Sequence, residues 1–141
     1  MRDYGNTMNT TFLALLTGMT YGGVEVPVYS SDPFETTPDN YVVIGDDTGA
    51  QKNNDNTFVS EVVQTIEVVS VQNMANDKTP LDAVSDLVLQ RLLPDTYIDH
   101  VDSLFRMQIV YATVTPVPRE TNGTVTVNRK MIRVFNRLIQ K

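Results

Sequence analysis

Asp95, Asp99, His100 and Asp102 form the one cluster in the sequence whose residue types suit a metal ion. Carboxylates offer hard oxygen ligands to Ca²⁺ or Mg²⁺, and an imidazole suits Zn²⁺. No glycine-punctuated loop encloses them, and an acidic run after a helix is commonly solvated, so neither a metal nor a cofactor is expected. Asp46 and Asp47, with Asp32, Glu35 or Asp39, are the only other acidic grouping. Glycoside hydrolysis needs two carboxyls held about 5–9.5 Å apart, one with its pKa raised by burial. These lie in polar stretches with nothing apolar beside them. His100 is the single histidine, and no serine sits in a G-x-S-x-G elbow. Gly22-Gly23 lacks the lysine and the helix start that a phosphate loop needs. With no cysteine, thiol catalysis, thiolate metal sites and disulfides are excluded. The chain reads as a protein that is not an enzyme.

Charge carries more information. The 141 residues have a net charge of −6 and a pI near 4.6. Sixteen of the acids and only four bases precede residue 106, whereas the remainder holds seven bases and one acid. Arg129, Lys130, Arg133 and Arg137 could each neutralise a phosphate. Phe135 is the one aromatic among them, and so acidic a protein is a poor free nucleic-acid binder. Contact with an acidic neighbouring copy accounts for the same residues, because opposite charge on two flanks favours head-to-tail association. The competing reading is a solvated surface on which both charge sets partly neutralise each other.

These residues need elements to hold them. At 141 residues, 41% apolar, the chain forms a single domain over residues 1–141. Met8, Phe12, Leu15, Leu16 and Met19 form one helical stripe, predicting a helix over about 7–17. Tyr21-Gly22-Gly23-Val24 predicts a tight hairpin, and Pro27 places the following strand at a sheet edge. Residues 30–40 read as a loop, 41–44 as a buried strand and the Asn-rich 47–57 as a second loop. Thr57 to Val71 alternates as a long strand of about 50 Å, part of which is expected to project or bend. Thr79-Pro80-Leu81-Asp82 marks a helix start, with Thr79 as cap and Leu81, Val84, Val88 and Leu92 buried, ending before Pro94. Residues 95–103 form a connector. Phe105, Met107, Ile109 and Tyr111 share a strand face, 116–123 is a loop, and 124 to about 138 returns as a strand rather than a helix. The expected fold is α+β: an antiparallel or mixed sheet, two α-helices on one face, and one long projecting hairpin or strand. No apolar run approaches the roughly 18 residues of a membrane span, and the apolar run Phe12 to Leu16 is too short for a signal core. A soluble protein without a targeting segment is expected.

Leu15-Leu16-Thr17-Gly18 followed by Tyr21-Gly22-Gly23-Val24-Glu25-Val26-Pro27-Val28-Tyr29 resembles the opening of the tail terminator, or tail completion, family of tailed phages and prophages. Tyr41-Val42-Val43-Ile44-Gly45, Thr65-Ile66-Glu67-Val68-Val69-Ser70, Leu81-Asp82-Ala83-Val84 and the basic Arg129-Lys130-Met131-Ile132-Arg133-Val134-Phe135 keep the family's order. The resemblance implies a virion structural protein, made in the host bacterial cytoplasm and built into the head-tail junction. It implies a homo-oligomeric ring, six-fold, that caps the tail tube and joins it to the connector. Its partners would be itself, the connector and tail-tube proteins, and DNA passing without sequence recognition, with no membrane. The alternatives are a twelve-fold collar of a short-tailed phage and a small binding module without catalytic activity. On the ring reading, the long strand Thr57–Val71 and the basic strand carry the subunit contacts, through Arg129, Lys130, Arg133, Arg137, Glu61 and Glu67. Asp32, Glu35, Asp46, Asp47 and Lys52, in loops 30–40 and 47–57, face the partner ring or the channel.

Overall fold

A computed structural model of the protein describes residues 5–30, 39–54, 57–73, 77–94, 100–101 and 105–140. The elements are α1 (Gly5–Leu16), β1 (Thr20–Tyr21), β2 (Val24–Glu25), β3 (Val28–Tyr29), β4 (Asn40–Asn54), β5 (Thr57–Asn73), α2 (Thr79–Leu92), β6 (His100–Val101), β7 (Phe105–Asn122) and β8 (Val125–Gln140). β1 and β2 make a hairpin through Gly22 and Gly23, whose φ of 61° and 78° are what a two-residue turn requires. The other strands form one sheet in the order β3-β4-β5-β8-β7-β6. β3 runs parallel to β4 and every other pair is antiparallel, so the sheet is mixed. The fold is α+β, as expected.

Strand alternation decides which face the helices cover. Val62, Ile66 and Val68 of β5 and Ile132, Val134 and Leu138 of β8 pack with Met8, Phe12 and Leu16 of α1 and with Leu81, Val84, Val88 and Leu92 of α2. Both predicted helical stripes are therefore core. Arg91, in the last turn of α2, donates from Nη1 to the carbonyls of Leu15 and Thr17 at 3.2 and 3.3 Å. It satisfies the free end of α1 with a positive charge, which ties the helices together at their C-terminal ends. Among the described residues no helix is long and apolar enough to cross a membrane.

Four local expectations are corrected. Residues 47–54 are strand, not loop: β4 pairs with β5 from Asn40↔Ser70 to Asn54↔Thr57. A long neighbouring strand bonds main chain to main chain whatever the side chains, so Asn-rich composition did not prevent pairing. Residues 116–122 likewise continue β7, where Pro116 and Pro118 are tolerated because this stretch lies beyond β6 and is a sheet edge. The β7–β8 hairpin is exposed at both parities, with residues 118–121 all exposed, whereas β5 is flanked along almost its whole length by β4 and β8. Finally, Tyr111 does not share a face with Ile109, because a bulge between them sets Ile109 opposite Asn136 and Tyr111 opposite Phe135.

β4 also carries a bulge, between Ile44 and Asp47. Gln64, 2% exposed, donates from Nε2 to the Gly45 carbonyl at 2.7 Å and to the Thr65 carbonyl at 3.1 Å. Replacing Gln64 by Leu leaves the Gly45 carbonyl without this partner and is expected to cost about 1–3 kcal/mol. Chemical denaturation would show it as a lower midpoint at unchanged slope; an unchanged midpoint would mean that the bulge carbonyl finds water instead.

α2 starts one residue earlier than its motif suggests. Lys78 occupies the cap position with no side-chain bond, and Thr79 is already helical. The capping is done by Asp77, whose Oδ1 accepts the Thr79 N–H at 2.9 Å. That backbone bond, then one to the Thr79 side chain, holds the Asp77 carboxyl below its ordinary value of 3.8. A depressed carboxyl stabilises the fold above its unfolded pKa and loses that contribution as pH falls through the folded one. Asp77→Asn is therefore expected to melt lower than the parent at neutral pH, with the difference closing below about pH 3.8. Parallel melting curves across that range would contradict the capping role.

Candidate subunit-contact face

The sheet face turned away from the helices is built from the odd-numbered residues of β5 and β8. Register places Glu61 opposite Arg137, Val63 opposite Phe135, Thr65 opposite Arg133, Glu67 opposite Met131 and Val69 opposite Arg129. At one end Tyr41, Val43 and Val69 form a small buried cluster, against which Tyr29, Val71 and Val127 pack. At the other, Tyr111 of β7 stacks on Phe135 with ring centroids 4.2 Å apart and planes 11° from parallel.

The basic residues of β8 separate into two sets. Arg129 Nη1 bonds Glu67 Oε1 at 2.7 Å within the chain, and both side chains are about a quarter exposed. The Glu67 bond raises the Arg129 guanidinium further above its ordinary value, against the opposing effect of burial. Lys130, of the other parity, lies on the helix side and bonds Asp82 Oδ1 of α2 at 2.5 Å. Arg129, Lys130 and Glu67 are thus committed within the chain. Arg133 and Arg137 are exposed and have no ion-pair partner among the described residues. Arg137 is flanked by Glu61 on β5 and Gln108 on β7.

Of the residues assigned to loops, Asp46 is exposed and Asp47 half-buried at the β4 bulge. Lys52 lies in β4 opposite Val59. Asp32 and Glu35 lie outside the described residues, as do Asp95, Asp99 and Asp102 of the metal candidate. His100 falls in β6, opposite Met107. No three His, Asp or Glu side chains that could hold a metal come together among the described residues.

β5 has neighbours on both sides, and among the described residues the open edges are those of β4 and β7. Among the described residues, β3 pairs with β4 at Val42 and Val43 alone, and β6 with β7 at Arg106 and Met107 alone. Along the β7 edge Val110, Tyr111 and Val114 are 59%, 50% and 39% exposed. A groove of about 770 Å³ runs between the two edges, lined among others by Thr48, Glu61, Val63, Tyr111, Phe135 and Arg137. The sequence signals for this site were the two prolines, which mark an edge, and Val110-Tyr111, where strict alternation breaks.

A two-sided open sheet over a helix pair is the fold against which comparison is made. One solved structure, described as the virion of a native gene transfer agent (GTA) particle, matches with a TM-score of 0.55 and 17% identity, covering 92% of this chain and 84% of that chain. At that identity the likeness is one of fold. No family model matches the sequence, and no curated protein matches it.

Proposed function

We propose that the protein is a virion structural protein of a phage-like particle. It would form a homo-oligomeric ring at the head-tail junction that caps the tail tube and meets the connector, acting through assembly rather than catalysis. The carrying observation is that, among the described residues, the sheet leaves two edges unpaired on opposite sides, distal β4 and β7. Two different surfaces that meet head to tail generate a ring when the rotation closes. An exposed strand edge is a ready template for a neighbour's strand. Pro116 and Pro118 would stop added pairing from running along the whole of β7, confining it to about residues 110–115. Arg133 and Arg137 beside that edge, which have no ion-pair partner among the described residues, supply the positive side of a contact with the otherwise acidic chain. The shared fold with a gene transfer agent virion chain and the tail-terminator resemblance both agree with this role.

Light scattering on the purified protein across a range of salt tests the proposal. A species of six or twelve times 15.8 kDa is expected, falling apart as salt screens the charges. A multimer indifferent to salt would put its cohesion in the strand edges and apolar contacts. A strict monomer at every concentration and salt would favour a binding module, with the groove as its site.

A further inference from the structure

On the helix side of the sheet a second cavity, of about 320 Å³, opens where α2 begins. Its lining includes Lys78 and Leu81 of α2, Arg119 on the β7 bulge, and Asn128 and Lys130 of β8. Asn128 is 3% exposed, and its Nδ2 has no hydrogen-bond partner. A buried donor left unpaired is costly, so the walls hold hydrogen-bonding capacity that nothing in the chain uses.

The helix adds one more donor. Asp82 is the first residue of α2 to bond back, to the Lys78 carbonyl at 2.9 Å. The Thr79 N–H goes to Asp77, and Pro80 has none. The Leu81 N–H is the remaining orphan of the first turn, at the positive end of the helix dipole. Charge points the same way. Lys130 is balanced by Asp82, but Lys78 and Arg119 are exposed and have no ion-pair partner among the described residues. Glu120 lies opposite Val127, on the far face.

We propose that this cavity binds a phosphate group, held by Lys78 and Arg119 with Asn128 Nδ2 and the Leu81 N–H completing its shell. Two positive side chains and two neutral N–H donors suit the several acceptor oxygens of a phosphate, free or in a diester, better than the two oxygens of a carboxylate. Helix N-termini of this kind take such anions readily. The source is either free inorganic phosphate or a phosphate of the DNA backbone.

Calorimetric titration of the full chain with inorganic phosphate, at ionic strength held constant with chloride, tests this. Saturable binding of one phosphate per chain is expected, with acetate giving none. Lys78→Gln together with Arg119→Gln, both at exposed positions, should weaken phosphate roughly tenfold or more. That variant should keep its melting temperature when phosphate is absent. An oligonucleotide that displaces inorganic phosphate from the parent but not from the double variant identifies DNA as the source; one that leaves it bound identifies the free ion. Equal binding by parent and variant, equal binding of acetate, or no saturable binding of phosphate overturns the proposal.

Discussion

A chain carrying Arg133→Glu and Arg137→Glu is expected to lose its assembled species and scatter as a monomer, while melting within a few degrees of the parent. The fold has little invested in either side chain, since both are exposed and neither makes an ion pair among the described residues. Surface changes of this kind ordinarily move stability by about 0.5 kcal/mol. Arg137→Glu adds a like charge opposite Glu61, which costs up to about 1 kcal/mol more. In a ring the effect is far larger, because every interface exchanges two attractions for two repulsions and each copy belongs to two interfaces. Charge reversal at Arg129 is the instructive contrast. It would break the 2.7 Å bond to Glu67 inside the chain, so it should lower the melting temperature whether or not a ring forms. If the Arg133/Arg137 variant assembles like the parent at low salt, the outer row of β8 is not a subunit contact.

The largest effect on stability is expected from Phe12→Ala. Phe12 is fully buried in the cluster that joins α1 to α2 and the sheet. Truncating such a ring costs about 3–5 kcal/mol, from lost transfer energy and from the cavity left behind. For a domain of this size that lowers the melting temperature by on the order of 10 °C. A loss of secondary-structure signal confined to helix would show that α1 detaches alone. Loss of helix and sheet together is the expected result, because the same cluster contains residues of β4, β5, β7 and β8. A drop of less than about 1 kcal/mol would mean that α1 contributes little to the core.

What could be read in advance follows from where the physics is local. The helical stripes Met8-Phe12-Leu16 and Leu81-Val84-Val88-Leu92 were legible because burial on one side imposes a period that the sequence must carry. The extent of β4 was not, since Asp47 to Asn54 pair through main-chain bonds that a neighbour supplies and that leave no trace in residue type. Capping by Asp77 was hidden by a Thr-Pro motif one step further along. A spacing of four puts Arg129, Arg133 and Arg137 on one face of the strand, but only the three-dimensional neighbours reveal that Arg129 already has Glu67. Lys130 belongs to the opposite parity, which alternation alone could have told.

The central joint of the sheet has a consequence for how the chain is made. β5 and β8 are hydrogen-bonded neighbours, yet Val62 and Asn136, which meet there, are 74 residues apart. At about 5–20 residues per second, a ribosome needs roughly 4–15 s to pass from one to the other. Throughout that interval β5, rich in valine, waits with its inner side open beside sister chains on the same message. Production of this chain is thus a race between completing its own sheet and lending that strand to a neighbour, and slower elongation between the two would favour tangled copies over finished ones.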